Sequence, residues 1–216
     1  MTKGQPAEGT SMSYQLTKKE VLFRQRLLKA SGFDPQGLDG VWGAKTTAAD
    51  DAFMAASGAL QLELGAFDVR SEGHIVGLHI RSQRLAREFL TKAAAFPYVA
   101  KIISGTRTYA EQDDLYAKGR WGGPPGPKVT WAKGGESNHN FGIAWDVALF
   151  DGGRYMNGAE EIDAPAYRDL AGHAMVPGLE WGGAWRKSDP PHYQVASEYA
   201  RISDVRKRFE TGEPYV

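Results

Sequence analysis

The sequence predicts an α+β fold, a small sheet with flanking helices, preceded by a small helical module. Three observations carry this. From Phe141 to Phe150 every side chain is small, apolar or aromatic except Asp146, the pattern of a buried strand. Val99–Ser104 is a second short apolar run. Around them lie segments with apolar residues at helical spacing, two of which open with capping boxes, Thr17-Lys18-Lys19-Glu20 and Thr108-Tyr109-Ala110-Glu111.

Taken in order, residues 1–13 are polar and read as a disordered lead-in. Residues 14–58 form the helical module. Its first helix runs from the Thr17 box through Val21, Leu22, Leu27 and Leu28 and stops at Gly32. Residues 33–40 are turn chemistry, and a second helix over 45–57 aligns Ala49, Ala52, Phe53 and Ala56. Residues 59–67 read as a linker to a larger domain over 68–216. That domain opens with a long helical pattern from Asp68 to Ala95, with Ile75, Leu78, Ser82, Leu85 and Phe89 along one stripe. After the Val99–Ser104 strand, Arg107 sits at a strand-to-helix turn. A guanidinium beside free helix N–H groups suits an anion or a developing oxyanion there. The helix that follows ends near Gly119. Residues 121–135, rich in Gly and Pro, form a rim loop, and 151–165 a polar loop. Helices over 167–174 and 197–210 complete the chain, the last with Ile202, Val205 and Phe209 inward.

Composition excludes several classes. Lys plus Arg equals Asp plus Glu at 26 each, so there is no basic excess for nucleic acid. No cysteine is present, which rules out disulfides and thiolate metal sites. No run has the length and apolarity of a membrane span, and the first residues lack the apolar core of a secretory signal.

The chemistry-bearing residues fall in two stretches. An ionised Asp146 on a buried strand needs a cation, a metal or several donors. His139 lies seven residues earlier, an odd separation that puts the two side chains on opposite faces of a regular strand. They can share a ligand only if 138–142 is a bend, which Gly142 permits. The second stretch, Gly178 to Gln194, holds Asp189 and His192 with Pro190 and Pro191 between them, hence an extended or turned segment. Two histidines and one carboxylate make a three-ligand zinc site with an open position, and a further carboxylate nearby is placed to take a proton from water. His74, His79 and His173 read as ordinary packing or surface residues.

The Ser137-x-His139-x6-Asp146 element followed by Asp189-x-x-His192 resembles the zinc peptidoglycan peptidases, the D-Ala-D-Ala carboxypeptidases, dipeptidases and L-alanyl-D-glutamate endopeptidases. SGTRTYAEQ (104–112), SNHNFGIAWD, GLEWGG and DPPHYQ are most similar to the phage endolysin branch. The resemblance implies an antiparallel sheet carrying one zinc ion per chain, with His139, Asp146 and His192 as ligands and Asp189 as general base. It also implies an oxyanion-stabilising role for Arg107. Glu180 is an alternative base, but its distance from His192 does not match the family spacing. Ser137 has no base beside it in the motif and reads as a substrate contact or a donor behind the ligands. Trp181 and Trp185 are candidates to line a cleft, with buried packing as the default for both, and Trp181 is taken as the substrate contact. Residues 14–58 resemble a small peptidoglycan-binding module, with Met54 where that module usually has Gln. The implied partner is the peptidoglycan stem peptide. The implied enzyme is a monomer held in the cytoplasm of an infected host until it is released to the wall. A D-alanyl-D-alanine carboxypeptidase is the alternative. The rivals from other classes are an inactive zinc-containing wall binder and a non-haem iron oxygenase, whose usual His-x-acid spacing differs from that found here.

Overall fold

The computed structural model describes residues 16–158 and 160–216, so the lead-in expected over 1–13 lies outside the described residues. The helices are α1 (Lys18–Ala30), α2 (Ala44–Leu64), α3 (Val69–Ile75), α4 (Ile80–Ala93), α5 (Tyr109–Ala117), α6 (Ala164–Ala174) and α7 (Ile202–Thr211). The strands are β1 (Val99–Ser104), β2 (Ala144–Asp151), β3 (Arg154–Met156), β4 (Leu179–Trp181) and β5 (His192–Val195), with 3₁₀ turns at Asn138–Phe141 and Gly182–Ala184.

The α+β expectation holds, and the small sheet is antiparallel throughout, in the order β1-β2-β5-β4. β2 is the central strand. One edge pairs with β1; the other pairs with β5 near its start and with β3 near its end. Trp145, Val147 and Leu149 share one face of β2 and are fully buried, whereas Asp146, on the other face, is only partly covered. α4 packs across the sheet, and the Phe89 and Tyr193 rings meet with centroids 4.5 Å apart.

Both capping boxes form. Thr17 N–H and Thr108 N–H each donate to the glutamate three residues on, at 2.7 Å, and each threonine hydroxyl accepts in return from that glutamate's N–H. β1 has the bounds expected of it. Elsewhere the structure departs from the sequence reading: β2 begins at Ala144 and not at Phe141, α6 begins at Ala164 and not at Tyr167, and four further differences bear on the architecture. The helix expected from Asp68 to Ala95 is two, because His79 caps α4 by accepting from Arg81 N–H at 3.2 Å. The stripe from Ile75 to Phe89 stays buried across the break, so the periodicity does not register it. The second helix runs on through Gly58 to Leu64, with Leu60 packed inward, so 59–64 is helix and not linker. The loop over 151–165 contains β3, too short and polar to show a pattern. The last helix starts at Ile202 rather than Ser197.

The helical module also shares its core with the larger domain. Leu27 and Ala30 of α1 lie in one apolar cluster with Ile75, Phe141 and Phe209, whereas Leu28, Ala49 and Phe53 form a small cluster of their own.

Candidate active site

Two constraints, a strand register and a turn, place three side chains around one point. The antiparallel register of β2 and β5 sets Asp146 directly opposite His192, so both project from the same face. The chain reaches β2 through the 3₁₀ turn at Asn138–Phe141, which closes on Gly142 in the left-handed conformation (φ +66°). That bend returns His139 to the face Asp146 occupies, as the odd spacing demanded. Gly142 is also enclosed: a Cβ there would lie 2.8 Å from His79 N and 3.1 Å from Leu27 Cδ1. The turn is further pinned by His79 N–H to Gly142 O (2.9 Å) and by the Tyr215 hydroxyl to Phe141 O (2.6 Å).

His139 Nε2 lies 3.3 Å from Asp146 Oδ1, His192 Nδ1 lies 3.3 Å from the same oxygen, and the two nitrogens are 3.2 Å apart. Ligands held at zinc's usual bond lengths on a tetrahedral ion stand about 3.3–3.4 Å apart, so this triangle has the dimensions of one tetrahedral face. The imidazoles are oriented to match. His139 Nδ1–H donates to Gly105 O at 2.7 Å, and His192 Nε2–H donates to Gln194 Oε1 at 3.1 Å, which turns each remaining lone pair toward the other donors. The donor set fits zinc.

The three side chains also form a tight acid–base cluster. Burial opposes ionisation of Asp146, but the two imidazoles outweigh it and hold its carboxyl well below the usual range. Burial pushes His139 down against the pull of Asp146. For His192 burial also pushes down, but its bonds to Asp146 and Gln194 win and raise it.

The triangle lies at the floor of a cleft of about 880 Å³ whose walls include Arg107, Ser137, Trp131, Trp185 and Asp189. Arg107 Nη2 is 3.8 Å from Asp146 Oδ2. The capping box takes up the N–H groups of Thr108 and Glu111, so neither of these two is free beside the guanidinium. The walls around Asp189 and then the charge of Asp146 push its carboxyl up; its surface is open to water, which screens the effect. The Asp-Pro-Pro-His turn is closed by His192 N–H to Asp189 O (3.1 Å) and held against the glycine-rich stretch by Asp189 N–H to Gly182 O (3.0 Å).

Trp181 does not line this cleft. Its indole N–H donates to Pro190 O at 2.7 Å, so it braces the turn from behind and faces an adjoining groove. Trp185, 40 % exposed and with its ring 5.0 Å from that of His192, lies on the cleft wall, as does Trp131. Glu180, the alternative base, also lies outside the cleft lining. Sequence reasoning gave no role to Gly105, Asn138 or Gln194. For Gln194 a signal existed, since a polar residue two beyond a ligand on one strand shares its face.

Residues 130–195 match the family described as D-alanyl-D-alanine carboxypeptidase, and that segment contains all three donors. The match is to that segment and not to the whole chain. Among named relatives, the peptidoglycan L-alanyl-D-glutamate endopeptidase CwlK of Bacillus subtilis (strain 168) is 36 % identical over 107 residues, 44 % of this chain. The chain spans 59 % of CwlK's length. The crystal structure of the L-Ala D-Glu endopeptidase ChiX of Serratia marcescens is similar over 62 % of this chain and 92 % of its own, with 26 % identity and a TM-score of 0.38. His139, Asp146 and His192 are the residues that would hold a zinc ion here.

Proposed function

We propose that the chain is a zinc-dependent peptidoglycan peptidase that hydrolyses an amide bond of the peptide stem, with L-alanyl-D-glutamate as the bond cut. The observation that carries this is the triangle of His139, Asp146 and His192 set in one cleft with an unligated carboxylate, Asp189, and a guanidinium, Arg107. Zinc at the triangle would supply a Lewis acid and bring water's pKa toward neutrality.

The chain's own groups divide the remaining work. Asp189, not tied up in the triangle and with its basicity raised, takes the proton of the attacking water and passes it to the leaving amine. Arg107 offers positive charge to the carbonyl oxygen as it becomes an oxyanion. Ser137 contacts the bound peptide from the cleft wall, and Trp185 supplies a flat apolar surface beside His192.

The bond assignment is supported by the relative's name and by the endolysin-like motifs. The family description favours the second reading, a D-alanyl-D-alanine carboxypeptidase. Mass spectrometry of products from purified peptidoglycan separates them: the first leaves a new D-glutamyl amino terminus, the second releases free D-alanine. If nothing is released, a zinc-containing wall binder replaces both.

Two finer parts of the proposal rest on resemblance. One is a phage endolysin acting from the host cytoplasm, for which lysis on expression should require a permeabilised inner membrane. Among the described residues no helix is long and apolar enough to cross a membrane. The other is wall contact by the helical module, whose Trp42 and Met54 are exposed; replacing both with alanine should reduce pull-down on sacculi.

A further inference from the structure

Gln194 lies two residues beyond His192 on β5, so the two side chains leave the same face of the strand. Its amide oxygen accepts twice, from His192 Nε2–H at 3.1 Å and from Asn138 Nδ2–H at 2.7 Å. Its amide nitrogen donates to Glu180 Oε2 at 2.8 Å, and Glu180 stands directly opposite it in the β4–β5 register. One glutamine thus joins the segment that carries His139, the strand that carries His192 and an exposed carboxylate on the edge strand.

The direction of that chain of bonds has a chemical consequence. A primary amide can turn over, exchanging its oxygen for its nitrogen at each partner. As found, the oxygen faces His192, so Nε2 carries a proton and the neutral imidazole has its lone pair on Nδ1, facing the triangle. Turned over, the amide would place N–H against His192 Nε2 and draw the proton to Nδ1. An N–H would then occupy the direction of the metal, and the Asn138 Nδ2–H would meet another donor. An ionised carboxylate only accepts, so Glu180 tolerates only the nitrogen on its side. Neither Glu180 nor Gln194 Nε2 touches a donor of the triangle, so their effect on the site passes through the His192 tautomer.

We propose that Glu180 is a positioning residue, which locks the Gln194 amide, with help from Asn138, in the orientation that gives His192 its metal-binding tautomer. The inference rests on the zinc-site reading and assigns Glu180 a task other than that of general base.

The test measures zinc affinity by chelator competition and the His192 tautomer by imidazole ¹⁵N shifts in the full chain. Glu180→Ala should weaken zinc binding by about 10–100-fold, the range for loss of a partner outside the ligands, and populate the Nδ1–H tautomer in the metal-free protein. Glu180→Gln keeps an oxygen that can accept from Gln194 and should hold affinity within about threefold of the parent. Equal affinity and an unchanged tautomer in Glu180→Ala overturn the inference. So does weakened affinity with an unchanged tautomer, which would make Glu180 a strand-packing residue only. A parent protein that takes up no zinc removes the site reading itself, and is recognised before any variant is compared.

Discussion

Asp146 and His192 face each other across the β2–β5 pair, and the 3.3 Å between carboxylate Oδ1 and imidazole Nδ1 is set by strand register. Two of the three donors are therefore fixed by backbone hydrogen bonding, and only His139 depends on a turn. Elemental analysis of purified protein should find one zinc per chain. Asp146→Ala should lose more than about a hundredfold in zinc affinity, beyond the cost of losing an outer partner. Zinc at about a hundredfold over its Kd should add about 2.7 kcal/mol, or about 5–10 °C in Tm, to the parent and little to the variant. Stoichiometric iron with iron-dependent activity would favour the oxygenase reading instead.

The glycine-rich stretch after β4 is required for space. A Cβ on Gly182 would lie 2.8 Å from Asp189 O and 3.0 Å from His192 Cβ. Gly182→Ala should therefore push the Asp189–His192 turn outward, costing about 1–3 kcal/mol by overpacking and lowering zinc affinity with it. Thermal melts with and without zinc read both effects; a variant with parental values in each would show that the turn adjusts freely.

The amino-terminal helices are predicted to be inseparable from the site. Leu27 is buried beneath the His139 turn, and Ala30 O accepts from His79 Nε2–H at 3.1 Å. Leu27→Ala should cost about 2–5 kcal/mol. A chain starting near Leu60 should lose cooperative unfolding and zinc uptake together, as calorimetry and metal analysis would show. A truncated chain that hydrolyses soluble stem peptide at the parental rate would establish a detachable module.

His79 ties acid stability to this same junction. Burial first, opposed by the bond to Ala30, pushes its pKa down to about 4 from an ordinary 6.5. The folded protein thus keeps His79 neutral through a window in which the unfolded chain binds a proton. Its contribution is fully present above about pH 6.5 and is lost as pH falls toward 4, by about 3 kcal/mol in all. His79→Asn keeps a capping oxygen without the titration. Urea unfolding at pH 7.0, 5.5 and 4.5 should show a shallower acid loss in the variant, and parallel curves would contradict the assignment.

Much of this site was legible in the residues because its chemistry is concentrated. Asp146 stands out as the one charged residue in a buried run, and the capping boxes and β1 are local signals that tertiary packing does not override. What was not legible depends on contacts distant in sequence. The break at His79 hides inside an unbroken apolar stripe, and the continuation of α2 past Gly58 is stabilised by Leu60 reaching the core. That Trp185 lines the cleft while Trp181 stands behind the turn follows from a single hydrogen bond of Trp181 to Pro190 O. Spacing alone sets none of these.

The most direct test of the account is turnover of a soluble stem peptide by the zinc-loaded parent, Asp189→Asn and Glu180→Gln, with zinc content measured on the same samples. Asparagine keeps the shape of Asp189 but cannot accept the proton. Its kcat should fall by about two to four orders of magnitude with zinc content and Tm nearly unchanged, while Glu180→Gln has the smaller effect. Near-parental turnover by Asp189→Asn, alongside abolished turnover by zinc-replete Glu180→Gln, would contradict the assignment of the base.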